Sequence, residues 1–312
     1  MDRNLALEFV RVTEAAAISC AHWLGRGDKI KADQAAVDAM RSRFNAVDFD
    51  GEVVIGEGEK DEAPLLYIGE KIGTGKGPKI DIAVDPLECT SNLANGKENS
   101  ITVIAAGPRG TLLRAPGTYM DQISVGKQAA KSIDITASVS KNLRSIAKAL
   151  DKRVENITVA ILDRPRHAET IKEIRKLGSR IRLIEHGTVS AGIAPCIPGS
   201  GIDVMLGIGG APEAVLTAAA LKCLGGDMQA ILKPHEQKYE KQAEKMGIKK
   251  GRVFMLNDLA KGNEVMFAAT GVTNGPLLKG VEFTSHGQHT HSVVMRSGTG
   301  TVRWIEAQHH AR

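Results

Sequence analysis

Two short segments place more acid at the ends of apolar runs than a folded interior holds unaided. They are Gly56-Glu57-Gly58-Glu59-Lys60-Asp61-Glu62 and Asp85-Pro86-Leu87-Glu88-Cys89-Thr90. The first follows Glu52-Val53-Val54-Ile55 and the second follows Ile80-Asp81-Ile82-Ala83-Val84, runs that read as strands. Carboxylates set close together repel one another and lose hydration, so a fold that gathers them needs a cation in their midst. No cysteine or histidine of metal-ligand spacing accompanies them, and hard oxygen donors alone suit Mg²⁺ or Mn²⁺. The pattern points to metal-assisted phosphate chemistry, in which cations ~3.5–4 Å apart clamp the attacking and leaving oxygens.

Composition narrows the partners. The chain has 312 residues, enough for one large domain or two halves sharing a core. Its formal charge of +5 is scattered, with no basic run that reads as a nucleic-acid arm. Aromatics at 4% also argue against a stacking platform for single strands, so no nucleic-acid partner is expected. No apolar run reaches ~18 residues, which argues against a membrane span. Cys20, Cys89, Cys196 and Cys223 lie far apart and read as reduced thiols. The N-terminus lacks a signal-peptide layout, and a cytoplasmic protein is expected.

Periodicity predicts a helix from Asp2 to Trp23 ending at Gly25, and a second from Ala32 to Phe44. A short helix from Pro64 to Glu70 is expected between the acidic segments, which read as loops, and a strand from Ser100 to Ala106 after them. Beyond about Asp151 strands and helices alternate: strand 157–162, helix 168–177, strand 181–184, then strand 202–206 leading into a helix through Cys223. Such alternation implies crossovers on a parallel or mixed sheet. Residues 233–250 read as a charged, helical surface excursion, and strands return at 265–269, 291–295 and 301–305. The expected division is an N-terminal α+β half, residues 1–150, carrying the acidic segments, and a C-terminal α/β half, residues 151–312, with the site between them.

Single residues carry little alone. Asp33 could cap a helix, Glu59 and Asp61 could be solvated loop charges, and Thr90 could be a turn threonine. Alternatively, the Thr90 hydroxyl could orient a water. Arg164 and Arg166 flank Pro165 just past a strand, where two guanidinium groups can grip a second phosphate bidentately. His286, His289 and His291 offer a weak metal reading against that of a solvated strand face, and His309-His310 reads as a tail. Gly207-Ile208-Gly209-Gly210 raises a dinucleotide site only weakly.

Taken in order, Gly-Glu-Gly-Glu at 56–59, Asp-Glu-Ala-Pro-Leu-Leu-Tyr-Ile-Gly-Glu at 61–70 and Ile-Ala-Val-Asp-Pro at 82–86 with Thr90 resemble the class II fructose-1,6-bisphosphatases, of the lithium-sensitive, metal-dependent sugar phosphatase superfamily. The likeness continues through Asp163-Arg164-Pro165-Arg166-His167, Gly207–Glu213 and Ala268–Thr273. It implies an α/β (α+β) fold, a layered αβαβα sandwich with mixed sheets. The implied activity is hydrolysis of the 1-phosphate of fructose 1,6-bisphosphate in gluconeogenesis, with Mg²⁺ or Mn²⁺ as cofactor. By the same resemblance Asp33, Glu57, Asp85, Glu88 and Glu213 would be metal ligands. Thr90 would position the attacking water, with Asp61 and Glu59 assisting. Substrate contacts would come from Glu88, Cys89, Thr90, Tyr119, Arg164, Pro165, Arg166, His186, Gly187, Thr188 and Gly210. A homo-oligomer, dimer or tetramer, is also implied.

Three departures bear on the substrate. Cys89 stands where the family signature has glycine, a residue that usually marks a positive φ or a close backbone approach. Lys29-Ile30-Lys31-Ala32-Asp33 stands for Lys-Asn-Thr-Ala-Asp, and His186-Gly187-Thr188 for Asp-Gly-Asp. The last change removes two carboxylates from the sugar side. Sedoheptulose-1,7-bisphosphate or an inositol phosphate is the rival substrate, and a catalytically degenerate paralogue that binds a phosphorylated metabolite is the rival of another class.

Overall fold

The computed structural model describes residues 4–58 and 63–310. The chain divides into two compact units, one formed by Met1–Arg114 with Gly262–Arg312 and the other by Ala115–Lys261. A boundary near residue 150 therefore falls inside the second unit. The seams lie elsewhere because the C-terminal strands return to pair with a strand of the N-terminal segment.

The first unit opens with α1 (Leu5–Ala21) and α2 (Lys29–Phe44). Leu5, Phe9, Val12, Ala16 and Cys20 recur at three- and four-residue spacing along α1, and all are buried. Phe9 meets Phe44 and Phe49 edge-on, with ring centroids 6.4 and 5.7 Å apart. The cap of α2 is Asp28, whose Oδ1 accepts the Lys31 N–H at 3.0 Å. The helix thus begins three residues before the expected Ala32, and Asp33 stands inside it rather than capping it.

Next come β1 (Asp50–Ile55), β2 (Lys71–Ile72), β3 (Lys79–Glu88), α3 (Thr90–Ala94) and β4 (Ile101–Pro108). β3 runs parallel to β1 and antiparallel to β4. No helix forms over the described residues expected to be one between Pro64 and Glu70. Their backbone bonds go elsewhere: Glu57 N–H donates to Leu66 O at 3.1 Å and Ile68 N–H to Gly58 O at 2.9 Å. Leu66 takes the left-handed φ of 54°, and its N–H donates to the Glu70 carboxylate.

The second unit runs through β5 (Tyr119–Val125), α4 (Val139–Ala149), β6 (Thr158–Leu162), α5 (Ala168–Lys176), β7 (Arg180–Ile184) and α6 (Thr188–Ile193). It continues with β8 (Val204–Gly210), α7 (Ala211–Leu224), β9 (Asp227–Lys233), α8 (Gln237–Lys245), β10 (Val253–Met255) and α9 (Leu256–Leu259). Its six-stranded sheet has the order β10-β9-β5-β8-β6-β7. β6 is parallel to β7 and β8, whereas β5 is antiparallel to β8 and β9. Leu143, Ile146, Ile171 and Ile174 of α4 and α5 pack with Ile123, Val159, Ile161 and Val204. Ala191 of α6 packs with Ala160 and Met205 from the same strands. Because neighbours along a strand point to opposite faces, helices cover both faces of this sheet.

The chain then re-enters the first unit as β11 (Met266–Gly271), β12 (Glu282–Thr284), β13 (Gly287–Arg296) and β14 (Thr301–His310). β11 lies antiparallel to both β4 and β13, giving an eight-stranded sheet of order β12-β13-β11-β4-β3-β1-β2 with β14 on β13. Buried hydroxyls join α1 to this sheet. Thr13 Oγ1 lies 2.7 Å from Thr270 Oγ1, which lies 2.8 Å from Ser292 Oγ, and Thr102 Oγ1 donates to Thr13 O at 2.9 Å. His309 and His310, expected as a tail, pair with β13 as part of β14.

Helices packed with mixed sheets place the chain in the α/β class, as the resemblance implies. Among the described residues no helix is long and apolar enough to cross a membrane. All four cysteines carry reduced thiols. Because Phe9 joins two other rings at the base of the first unit, Phe9→Ala is expected to cost about 3–5 kcal/mol in urea unfolding, without loss of secondary structure in the folded baseline.

Candidate active site

The first unit brings Asp33, Glu57 and Thr90 together from three separate elements. Asp33 projects from α2, Glu57 sits in the loop after β1, and Thr90 is the first residue of α3. Asp33 hydrogen-bonds both Glu57 and Thr90. Backbone bonds from residues 57 and 68 fasten the loop, and a Cβ on Gly56 would lie 1.9 Å from Leu66 O, so only glycine lets the chain pass there. Two carboxylates in hydrogen-bonding contact cannot both ionise cheaply. Burial first, then the Asp33 charge and the bond between the pair, raise the Glu57 pKa from 4.5 to about 8. Burial likewise raises Asp33, against the bonds from Glu57 and Thr90.

Asp85 and Glu88 lie on β3 rather than in the loop that the sequence suggests. The pairing with β4 shifts between them, where Pro86 has no N–H to give the ladder. Asp85 Oδ1 accepts the Leu87 N–H at 3.1 Å, and Glu88 is buried. Cys89 then turns the chain into α3 with φ 66° and ψ 42°, the left-handed region. This explains why the signature has glycine here: a Cβ in that region is strained, whereas glycine is not. Asn92 N–H and Ser100 Oγ donate to the Cys89 carbonyl at 2.8 and 3.1 Å and hold the turn in spite of that strain.

In the second unit, Tyr119 at the start of β5 faces Gly210 of β8 in register. The Arg166 guanidinium lies over the Tyr119 ring, 5.0 Å from its centroid, and its Nη2 donates to Ile208 O at 2.8 Å. Arg164 donates from Nη1 to Asp163 O at 2.9 Å and from Nη2 to Glu185 O at 2.6 Å. Pro165 opens the 3₁₀ turn carrying both arginines. Half-buried His186 and Gly187, at φ 93°, lead into α6, whose first residue is the buried Thr188. Gly210 leads into α7, and a Cβ there would lie 1.8 Å from Glu213 Oε2. That oxygen is sealed from solvent and has no hydrogen-bond partner, and burial raises the Glu213 pKa.

His167 has no role in the sequence reading. Its Nδ1 lies 2.8 Å from Leu162 O and its Nε2 accepts the Ile208 N–H at 2.8 Å, which places the ring proton on Nδ1. It fastens the arginine turn to β8. Burial lowers its pKa, against the opposing bond to the Leu162 carbonyl and with smaller help from the charges of Arg166 and Arg164. The sequence signal was only its place beside Arg166.

Glu59 and Asp61 lie outside the described residues. Among the described residues no three His, Cys, Asp or Glu side chains form a metal-holding group, the histidines at 286, 289 and 291 included. Within the first unit a hard divalent cation suits Asp33 and Glu57, whose carboxylates in contact it would relieve. In the second unit Glu213 has a sealed oxygen with no hydrogen-bond partner.

Comparison with known proteins gives the same direction. The family model for bacterial fructose-1,6-bisphosphatase, glpX-encoded, matches residues 3–309. The chain is 45% identical, over 99% of its length and 96% of the relative's, to fructose-1,6-bisphosphatase 1 class 2 of Escherichia coli strain K12. Fructose-1,6-bisphosphatase class 2 of Shigella flexneri is similar to the same extent, 45% over the same shares of each chain.

Two outcomes follow from the local geometry. Cys89→Gly is expected to stabilise the protein by about 0.5–1 kcal/mol in thermal or denaturant unfolding, by relieving the left-handed Cβ. Glu57 is held in its protonated form, so its favourable contribution is complete below 4.5 and is lost as pH rises from 4.5 to about 8. In chelator, the melting temperature should fall across that window, and Glu57→Gln should flatten the fall.

Proposed function

We propose, for a chain that belongs to the bacterial, glpX-encoded fructose-1,6-bisphosphatase family, that it hydrolyses the 1-phosphate of fructose 1,6-bisphosphate to fructose 6-phosphate and phosphate. The observation that carries this reading to the chain's own residues is the contact of Asp33 with both Glu57 and Thr90.

Thr90 has a single hydroxyl proton and two acceptors for it, Leu87 O at 2.9 Å and Asp33. Its oxygen is thereby fixed, and its lone pairs serve to hold a water for in-line attack on phosphorus. Asp61, assisted by Glu59, would take the proton of that water. Asp33, Glu57, Asp85, Glu88 and Glu213 would hold Mg²⁺ or Mn²⁺. When bound, the cation supplies positive charge to the phosphoryl oxygens and the departing alkoxide. Arg164 and Arg166 would grip the second phosphate, while Tyr119 lies beside the sugar and Pro165 fixes the turn. Backbone at Cys89, Gly187 and Gly210, with His186 and Thr188, would line the sugar. A cytoplasmic homo-oligomer, dimer or tetramer, is the setting that the family suggests.

His186 and Thr188 favour one variation on this reading. With two carboxylates absent from the sugar side, a longer bisphosphate such as sedoheptulose 1,7-bisphosphate meets less acid there and is the rival substrate. Phosphate release should be measured for both sugars and an inositol phosphate with Mg²⁺ or Mn²⁺. Fructose 1,6-bisphosphate is expected to turn over, with loss of activity in chelator and recovery on adding metal. Thr90→Ala should lower kcat about 10²–10³-fold, with Thr90→Ser retaining most of it. Release from none of these compounds would contradict the enzyme reading and favour a paralogue that only binds.

A further inference from the structure

The charged stretch after β9 does more than run over the surface. β9 pairs with β5 so that Lys233 lies opposite Tyr119, and the next residues but one bring His235 onto the Tyr119 ring. The two ring centroids are 4.8 Å apart with the planes tilted by 44°, and His235 also meets Tyr239 of α8 at 4.8 Å with a tilt of 38°. Lys238 Nζ lies over the Tyr239 ring, 4.6 Å from its centroid. Arg166, over the Tyr119 ring, extends this run of ring contacts to Arg166–Tyr119–His235–Tyr239.

Thr118 fixes the histidine from below. The His235 N–H donates to Thr118 Oγ1 at 3.2 Å, and Thr118 Oγ1 lies 2.8 Å from His235 Nδ1. A hydroxyl that accepts from the backbone can donate to the ring, which leaves the proton on Nε2, 3.4 Å from the Glu236 carboxylate. Tyr119 is 36% exposed at a strand end and would otherwise be free to change rotamer. Arg166 spends one donor on Ile208 O, leaving the rest of its fork for an anion.

We propose that His235 is a positioning residue for the sugar-phosphate end of the site: in ring contact with both Tyr119 and Tyr239 and anchored by Thr118, it holds Tyr119, and through it Arg166, in the orientation that meets the distal phosphate of a sugar bisphosphate. This rests on the reading of Tyr119 and Arg166 as substrate contacts.

The test is steady-state phosphate release from fructose 1,6-bisphosphate by the full-length protein with Mg²⁺ or Mn²⁺. His235→Ala is expected to raise KM about tenfold while kcat changes less than about twofold, and His235→Phe, which keeps a ring in the stack, should bring KM back to within about threefold of the parent. Thr118→Val should raise KM in the same direction, and thermal melts establish that each variant is folded. In a cycle with Arg166→Ala, the double variant should be no worse than Arg166→Ala alone, because both changes disable one unit. An unchanged KM in His235→Ala, no recovery in His235→Phe, or additive losses in the cycle would overturn the proposal while the parent stays active. A parent that releases no phosphate would instead overturn the reading on which it rests.

Discussion

The burial of Asp33 and Glu57 in contact with one another is the constraint on which the first unit's design depends. Two carboxylates in contact, partly withdrawn from water, hold a proton that neither would keep in solution. Nothing local requires them to meet. Asp28 starts α2 early enough that Asp33 falls on an interior turn, while the Leu66–Ile68 backbone grips the Glu57 loop. Buried hydroxyls and the Phe9 ring cluster then hold α1 against the sheet beside them. Tertiary packing thus sustains an arrangement that burial and charge oppose, and a cation would turn the same arrangement from a cost into a binding site.

The second unit meets a different requirement, that of holding long cationic side chains in fixed positions. Arg164 and Arg166 are long side chains with much rotamer freedom to lose. Their carbonyl partners at Asp163, Glu185 and Ile208 restrict that freedom before any ligand arrives. His167 ties the turn to β8, and the Tyr119–His235–Tyr239 stack backs the guanidinium of Arg166. Such prior ordering would lower the entropy lost on binding an anion such as a sugar phosphate. Gly210 contributes by having no Cβ, which lets the Glu213 side chain fold back over the start of α7.

Much of this was legible in the sequence for a physical reason: acidic clusters and strand-flanking arginines are costly and therefore conspicuous. Cys89 was also visible as a departure, although only its φ of 66° shows why glycine belongs there. β5 was hidden. It is central in its sheet, yet Gln122 and Ser124 are polar and 1% exposed, so neither alternation nor an apolar run marks it. The expected helix at 64–70 failed because the Glu57–Gly58 loop claims Leu66 O and Ile68 N–H, which a helix needs, and because Leu66 takes a left-handed φ. The division near residue 150 failed because β11 pairs with β4 across a long stretch of chain, a contact that no local pattern announces. His235 sits in a segment whose charge pattern reads as solvated surface; only the pairing of β9 with β5 brings it to Tyr119.

The displacement of a shared proton by a cation can be measured directly. Mn²⁺ or Mg²⁺ is titrated calorimetrically into the metal-free protein near pH 7, in buffers of different ionisation enthalpy, to count the protons released on binding. With Glu57 held at about 8, release of roughly one proton is expected. That release should vanish above about pH 9 and in Glu57→Gln. Metal binding with no proton release at pH 7, or release that persists unchanged in Glu57→Gln, would contradict the view that Asp33 and Glu57 hold the proton which the cation replaces.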